Sequence, residues 1–130
     1  MPVEIQESLS AIEVQLLEKR LSIEFTIENR LVDNHTDPTL EKIAECESGD
    51  PAKKTKEQIA NAKNPLSSAS GRFQFIASTW EHYGRLKWCA DFEKKNVFSY
   101  DDNTELAYFV WTLNGYTDWF SSRWCWQPIR

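Results

Sequence analysis

The sequence IAECESGD, residues 43–50, has the pattern of a helix end but carries a carboxylate where an apolar residue is expected. Four residues recur at intervals of three and four and so share one helix face: Leu40, Ile43, Ala44 and Glu47. Because the first three are apolar, this face is expected to point towards the core. Glu47 lies on the same face and is therefore expected to point inward. Gly49 then ends the helix, since glycine readily adopts the backbone conformation that follows a last helical turn.

Glu47 is therefore predicted to have the environment of a general acid. Burial disfavours the charged form of a carboxyl group and raises its pKa. The negative end of the helix dipole acts in the same direction. A carboxylic acid that keeps its proton near neutral pH can protonate a leaving group. The alternative is an exposed residue at the helix rim that reaches solvent past Ser48, and periodicity alone does not separate the two.

The composition limits the protein to a few classes. With 130 residues, 41% of them apolar and 13% aromatic, the chain suits a globular domain. A net charge of −5 argues against a nucleic-acid partner, which requires a basic surface. No apolar run approaches the ~18 residues of a membrane span. The two histidines and the absence of a CxxC pair predict no metal site, and no motif indicates a cofactor.

The chain divides into two regions. Residues 1–35 contain no Trp, Tyr or Gly and form an N-terminal arm of uncertain structure. Their apolar stripe favours a helix through about Lys19, whereas residues 21–28 alternate apolar and polar side chains, which is equally typical of a strand. The start, MPVEIQESLS, lacks the basic and apolar segments of a signal peptide. Residues 36–130 form the second region.

Short helices dominate the second region, so the predicted fold class is mainly α. Asp37-Pro38 begins the first helix, which ends at about Ser48. Thr55 and Gln58 form a possible capping box for a helix through Ala62. Three further helical segments are predicted at residues 78–83, where Gly84 ends the helix, at about 89–94, and at 102–113, where Asn114-Gly115 ends it.

Three blocks of this region resemble the lysozyme-like lytic transglycosylases, including the goose-type lysozyme and resuscitation-promoting-factor-like branches. The first block is IAECESG at residues 43–49, with its Glu-Ser pair. The second is NPLSSASGRFQFI at residues 64–76, with a Gly-x-x-Gln motif, followed by STW and YG. The third is Asn114-Gly115 with Trp119 and the WCW of residues 124–126. The resemblance implies a lysozyme-like fold over residues 36–130, with several short helices around a substrate cleft, and it allows a small β element.

The resemblance also implies a function. Members cleave the β-1,4 bond between N-acetylmuramic acid and N-acetylglucosamine in peptidoglycan with a single glutamate, which Glu47 matches, and they form a 1,6-anhydro product. Attack by water would make the enzyme a muramidase instead, and a non-catalytic peptidoglycan-binding module with the same fold is the alternative. Ordinary glycosidases use two carboxylates; Asp50 and Glu57 are the nearby candidates, although neither is expected to act as a nucleophile. We expect a monomer that binds glycan strands.

Further residues are assigned by the same resemblance. Ser48 follows the catalytic glutamate and supports local hydrogen bonding. Gln74 matches a glutamine that lines the cleft, although an amide that holds loop backbone is an equal alternative. Ser68 is expected to contribute a hydrogen bond in the cleft, although a small-residue turn explains this serine equally well. Tyr108 either faces Glu47 or packs in the core.

The cysteines bear on the cellular compartment. By resemblance, Cys46 pairs with Cys125, which would tie the end of the chain to the residue before Glu47. A disulfide needs an oxidising compartment, so the resemblance implies an extracytoplasmic protein, whether periplasmic, secreted or on the cell surface. Cys89 has no counterpart in the family pattern, and its state stays open.

Overall fold

The computed structural model describes residues 11–32 and 36–128, and within them the protein is mainly α-helical. The α-helices are α1 (Ala11–Val32), α2 (Pro38–Ser48), α3 (Lys56–Ala60), α4 (Ala77–Trp88), α5 (Tyr100–Asn114) and α6 (Arg123–Trp126). Two 3₁₀ helices, Cys89–Lys94 and Thr117–Ser122, join them. The β structure of these residues consists of two isolated bridges, Lys63 with Ser70 and Ser70 with Phe75.

Helix α2 begins and ends as its sequence predicts. The Asp37 carboxylate accepts a hydrogen bond from the Leu40 backbone N–H at 2.9 Å, which satisfies one of the free donors of the first turn. Gly49 follows the last turn at φ 120°, a conformation that favours glycine. Leu40 and Ile43 are fully buried, so the predicted inward face of α2 is confirmed.

The core forms where α5 meets α2 and the C-terminal segment. Its buried residues come mainly from these elements and from the loop before α4: Leu40, Ile43, Phe73, Phe75, Leu106, Phe109, Val110, Trp119 and Trp126. Helix α2 packs against the 3₁₀ helix Thr117–Ser122 and against α6. The last turn of α2 is therefore brought beside the end of the chain, which positions the site described below.

The structure decides one element that the sequence left open and corrects another. Residues 21–28, which fitted a helix and a strand equally well, continue α1. Helix α1 packs on α5, and Arg20 donates a hydrogen bond to the carbonyl of Lys87 in α4 at 2.6 Å. The prediction that α4 stops at Gly84 is wrong, because the helix continues to Trp88. A Cβ at Gly84 would lie 2.5 Å from Phe92, so this glycine permits close packing rather than a helix end. Of the predicted arm at residues 1–35, residues 1–10 and 33–35 lie outside the described residues.

Other predicted helices are confirmed within a few residues. The capping box of Thr55 and Gln58 forms, with hydrogen bonds of 2.9 and 3.1 Å, although α3 ends at Ala60. The segment Cys89–Lys94 is a 3₁₀ helix. Helix α5 runs from Tyr100 to Asn114, and Gly115 follows it. No helix of the described residues is both long enough and apolar enough to cross a membrane.

One buried amide shapes the loop that precedes α4. Asn103 of α5 is completely buried and accepts a hydrogen bond from the Phe73 N–H at 2.8 Å. Its amide nitrogen donates to the carbonyls of Val97, at 2.9 Å, and Ser70, at 3.3 Å. Gly71 lies against this amide at φ 83°, and a Cβ there would overlap Asn103 and the Val97 carbonyl. The glycine of Gly-x-x-Gln is therefore required by the packing of the loop on α5.

Candidate active site

The end of α2 is joined covalently to the end of the chain. Cys46 and Cys125 form a disulfide that spans 79 residues, with Cα atoms 6.0 Å apart, so the predicted pairing is confirmed. Cys89 is a free, exposed thiol. Because Cys46 immediately precedes Glu47, the disulfide holds the C-terminal segment beside the Glu47 side chain.

Glu47 accepts a short hydrogen bond from that C-terminal segment. The hydroxyl of Ser122 donates to Glu47 Oε1 at 2.6 Å, and the indole N–H of Trp126 donates to Ser122 Oγ at 3.1 Å. Sequence reasoning missed Ser122. The contact joins residues 75 positions apart, and a serine in an aromatic tail follows no local pattern that would have indicated it.

Burial raises the pKa of Glu47 above its ordinary value, and the hydrogen bond from Ser122 opposes part of that rise. The side chain is half-buried, so it is neither a fully solvated rim residue nor a sealed core residue. The direction agrees with the expectation drawn from the helix pattern. A carboxyl group in this environment keeps its proton to a higher pH than an exposed glutamate does.

Glu47 lies at the junction of two adjoining cavities, which together form a cleft. The first lobe has a volume of about 250 Å³ and the second about 610 Å³. Three residues line both lobes: Glu47, Asn64 and Gln74. The first lobe is also lined by Ser67, Thr79, Asp118, Trp119 and Ser121. The second is also lined by Ser48, Lys54, Gln58 and Lys63. An extended ligand laid across both lobes would pass over Glu47.

Gln74 combines the two roles that its sequence left open. Its amide nitrogen donates to the carbonyls of Gly71, at 2.9 Å, and Ala62, at 3.1 Å, so it holds the loop. Gln74 itself is a non-glycine residue at φ 54°, a conformation that these bonds stabilise. Its side chain also lines both lobes beside Glu47. With both N–H groups directed at the loop, the amide oxygen is the atom left for a ligand.

Two serines that the sequence assigned to the cleft, Ser48 and Ser68, use their hydroxyl groups to bond the backbone instead. Ser48 lines the second lobe, but its buried hydroxyl donates to the Ala44 carbonyl at 3.0 Å within α2. Ser68 lies away from both lobes, where its hydroxyl accepts from the Ala77 N–H at the start of α4. Both side chains therefore serve the backbone around the cleft.

Tyr108 lies in the core rather than in the cleft. It is 2% exposed, and its hydroxyl accepts from the Asp37 N–H at 3.1 Å and donates to Glu41 at 3.4 Å. Burial raises the pKa of Tyr108 to about 12, so the hydroxyl stays protonated. Of the two roles that the sequence allowed, the structure places this side chain in the packing role, joining α5 to the start of α2.

The carboxylates near the cleft differ from those that the sequence suggested. Asp50 accepts from the Ala52 N–H at 2.9 Å and shapes the turn after α2, and neither Asp50 nor Glu57 lines a lobe. Asp118 does line the first lobe, where it accepts from the Asn114 amide at 3.1 Å. The described residues contain no cluster of three or more His, Cys, Asp or Glu side chains arranged for a metal ion.

Comparison with known proteins returns no relative. No protein-family model, no curated protein and no solved structure matches the chain. The geometry of the cleft and the sequence resemblance are therefore the two grounds for a function.

Proposed function

We propose that the protein cleaves the β-1,4 bond between N-acetylmuramic acid and N-acetylglucosamine in peptidoglycan, with Glu47 as its single acid and base. The observation that carries this proposal is the position of Glu47, half-buried with a raised pKa where the two lobes of the cleft meet. A polymer bound across both lobes would present a linkage, rather than a chain end, to that carboxyl group. The sequence resemblance of the blocks around Glu47 and Gln74 supports the same chemistry.

The reaction needs one carboxyl group in two successive roles. Glu47 first protonates the glycosidic oxygen, and the bond from that oxygen to the muramic acid anomeric carbon breaks. The 2-acetamido group of the substrate stabilises the cationic carbon, so no protein nucleophile is required. Glu47, now a carboxylate, then removes the proton of the sugar 6-hydroxyl, whose oxygen closes on the anomeric carbon. The product is a 1,6-anhydro sugar, and Glu47 regains its proton.

The second lobe has a charge that suits this substrate. Lys54 and Lys63 line it and donate to backbone carbonyls, Lys54 to that of Ser48 at 3.2 Å and Lys63 to that of Asn64 at 3.0 Å. Among the described residues, neither lysine forms an ion pair with a carboxylate. The stem-peptide carboxylates of peptidoglycan, and the lactyl carboxylate where no stem peptide is attached, are anions that such lysines can bind. The disulfide fits an extracytoplasmic enzyme, since such bonds persist in oxidising compartments.

The test is digestion of purified cell-wall sacculi. We expect the protein to release muropeptides, and Glu47→Gln to abolish the release while the variant remains folded, because an amide cannot supply the proton. The matched control is Glu57→Gln, which makes the same chemical change at an exposed residue outside the cleft and should retain activity. Binding of sacculi without release by the unaltered protein would contradict the proposal and identify a binding module.

Mass spectrometry of the products separates the two cleavage routes. A 1,6-anhydro end is lighter by one water than a reducing end and would support the transglycosylase route. Asp118 favours hydrolysis as a second candidate, because a carboxylate in the first lobe could activate water. For the single-carboxylate mechanism, we expect Asp118→Asn to leave both the rate and the anhydro product largely unchanged. A reducing-end product that disappears in Asp118→Asn would establish the hydrolase instead.

A further inference from the structure

We propose that Ser122 is a positioning residue that reserves one oxygen of Glu47, Oε1, as a hydrogen-bond acceptor and so directs the exchanged proton to the other oxygen, Oε2. The inference rests on the proposed function, because fixing one carboxyl oxygen as an acceptor matters only if Glu47 transfers its proton to a bound substrate. It adds a residue from the far end of the chain to a site that the proposed mechanism describes with Glu47 alone.

The hydrogen bonds around Ser122 determine where its own proton points. The Trp126 indole can only donate, so its contact with Ser122 Oγ at 3.1 Å occupies one lone pair of the hydroxyl. Two acceptors then compete for the single hydroxyl proton: Glu47 Oε1 at 2.6 Å and the Trp119 carbonyl at 3.0 Å. The Trp126 indole has one N–H and shares it between Ser122 Oγ and the Trp119 carbonyl, which lies at 3.2 Å. The carbonyl therefore keeps a donor when Ser122 donates to Glu47.

The second carboxyl oxygen faces a different environment. Among the described residues, the only buried side-chain polar atom without a partner is Trp88 Nε1. Because Glu47 Oε2 has no hydrogen bond within these residues and is not such an atom, it reaches solvent, and Glu47 lines both lobes of the cleft. A proton on Oε2 can therefore meet a ligand, whereas a proton on Oε1 would point at Ser122.

The same arrangement serves both steps of the proposed reaction. With Glu47 protonated on Oε2, Ser122 donates to the carbonyl-like Oε1. After Oε2 has given up its proton, Ser122 still donates to Oε1, now part of a carboxylate, and the bond becomes stronger because its acceptor is charged. Neither state requires the side chain to turn, so Glu47 can act as acid and then as base from one position.

The charged groups around Glu47 bear on any titration of it. Four charged residues line the cleft with Glu47: Glu45, Asp118, Lys54 and Lys63. The shift in the Glu47 pKa comes from burial and from the Ser122 hydrogen bond rather than from these charges. All four remain when Ser122 is altered. A change in the titration of Glu47 on substitution of Ser122 therefore reports the lost hydroxyl, provided that the fold is retained.

The experiment follows the Glu47 side-chain carboxyl carbon by NMR as a function of pH in the full chain. In Ser122→Ala we expect the titration midpoint to move to higher pH, because the donor that stabilises the carboxylate is gone. Ser122→Thr keeps a hydroxyl and should restore the midpoint most of the way. Ser121→Ala is the matched control: Ser121 is exposed, forms no hydrogen bond to Glu47 within the described residues, and should leave the midpoint unchanged.

Cleavage of sacculi supplies the second measurement. We expect Ser122→Ala to lower kcat by about tenfold to a hundredfold, the range for loss of one hydrogen bond to a charged group, with little change in KM. An unchanged midpoint in a Ser122→Ala variant with the near-ultraviolet circular dichroism of the parent would overturn the role of Ser122. A midpoint that depends on Ser122 in a protein that cleaves no peptidoglycan would instead overturn the proposed function, so the two failures are distinguishable.

Discussion

Glu47 lies between two walls that are held in place by different means. The loop wall, residues 62–76, is held by hydrogen bonds of the Asn103 and Gln74 side-chain amides. The tail wall, residues 117–126, is held by the disulfide from Cys125 and by packing of Trp119 and Trp126. The first wall is thus built from weak bonds that depend on close packing, whereas the second carries a covalent tie. Damage to the loop wall should therefore mainly lower the stability of the fold, while loss of the covalent tie in the tail wall should lower stability less and should also alter the titration of Glu47.

The largest effect is expected from Gly71→Ala in the loop wall. The new Cβ would overlap the Asn103 amide and the Val97 carbonyl, at a backbone φ of 83° that disfavours any side chain. Strain and overpacking together should lower the free energy of unfolding by about 4 kcal/mol. Urea unfolding followed by tryptophan fluorescence measures it.

Gly115→Ala is the matched control for this substitution. Gly115 also has a positive φ, 63°, but a Cβ there would meet no atom within 4 Å. Only the backbone strain remains, so we expect a loss of about 1–2 kcal/mol. Equal losses in the two variants would contradict the claim that close packing on Asn103 holds the loop wall.

A smaller effect on stability is expected when the tail wall loses its covalent tie. Replacing Cys46 and Cys125 together by serine removes a link across 79 residues, which should lower the free energy of unfolding by about 3 kcal/mol. Because Ser122 lies on the released segment, the titration of Glu47 should also move to higher pH, as in Ser122→Ala. Denaturant unfolding and carboxyl-carbon NMR measure the two effects.

Cys89→Ser tests whether the disulfide itself is responsible. Cys89 is exposed and forms no disulfide, and a serine hydroxyl can also accept the hydrogen bond that Arg20 donates to its sulfur, so the substitution should change stability by no more than about 0.5 kcal/mol. If the double serine variant were as stable as the parent, with an unaltered Glu47 titration, packing alone would suffice to hold the tail wall.

The smallest effect is the dependence of stability on pH at Glu47 itself. Its pKa in the folded protein lies above the ordinary value of 4.5. Between these two values, the folded state holds more protons than the unfolded chain, so the free energy of unfolding falls as pH rises through that window. Glu47→Gln has no ionisable group at this position, so this contribution to the fall in the free energy of unfolding is absent. The stability of the variant relative to the parent should therefore increase from pH 4 upwards. Urea unfolding of both proteins across this range measures the difference, and a constant difference would contradict the burial of Glu47.

The sequence predicted much of α2 and α5 because their signals are local. In α2, Asp37, Pro38 and Gly49 mark the ends, and the interval between apolar residues identifies the buried face. The same reasoning failed at Gly84, since a glycine that admits a neighbouring ring has the same sequence signature as one that ends a helix. The alternation at residues 21–28 fitted a helix and a strand equally well, and the helix formed, as part of α1, which packs on α5.

The candidate site was only partly predictable. Glu47 and Gln74 were found because one lies on a periodic face and the other in a recognisable block. Asn103 and Ser122 were missed, since each acts on residues at least 30 positions away and neither follows a local pattern. Asp118 was missed in favour of Asp50, which is near Glu47 in sequence but shapes a turn outside the cleft.

The sequence by itself determined the helical character of the chain, the bounds of α2 and the buried apolar face of α2, because these depend on residues within a few turns of one another. Only the tertiary structure decided that Ser122 and Asp118 lie beside Glu47, that Asn103 holds the loop wall and that two lobes meet at one carboxyl group. These arrangements depend on contacts between distant segments, which are formed when the helices pack and which no local pattern encodes.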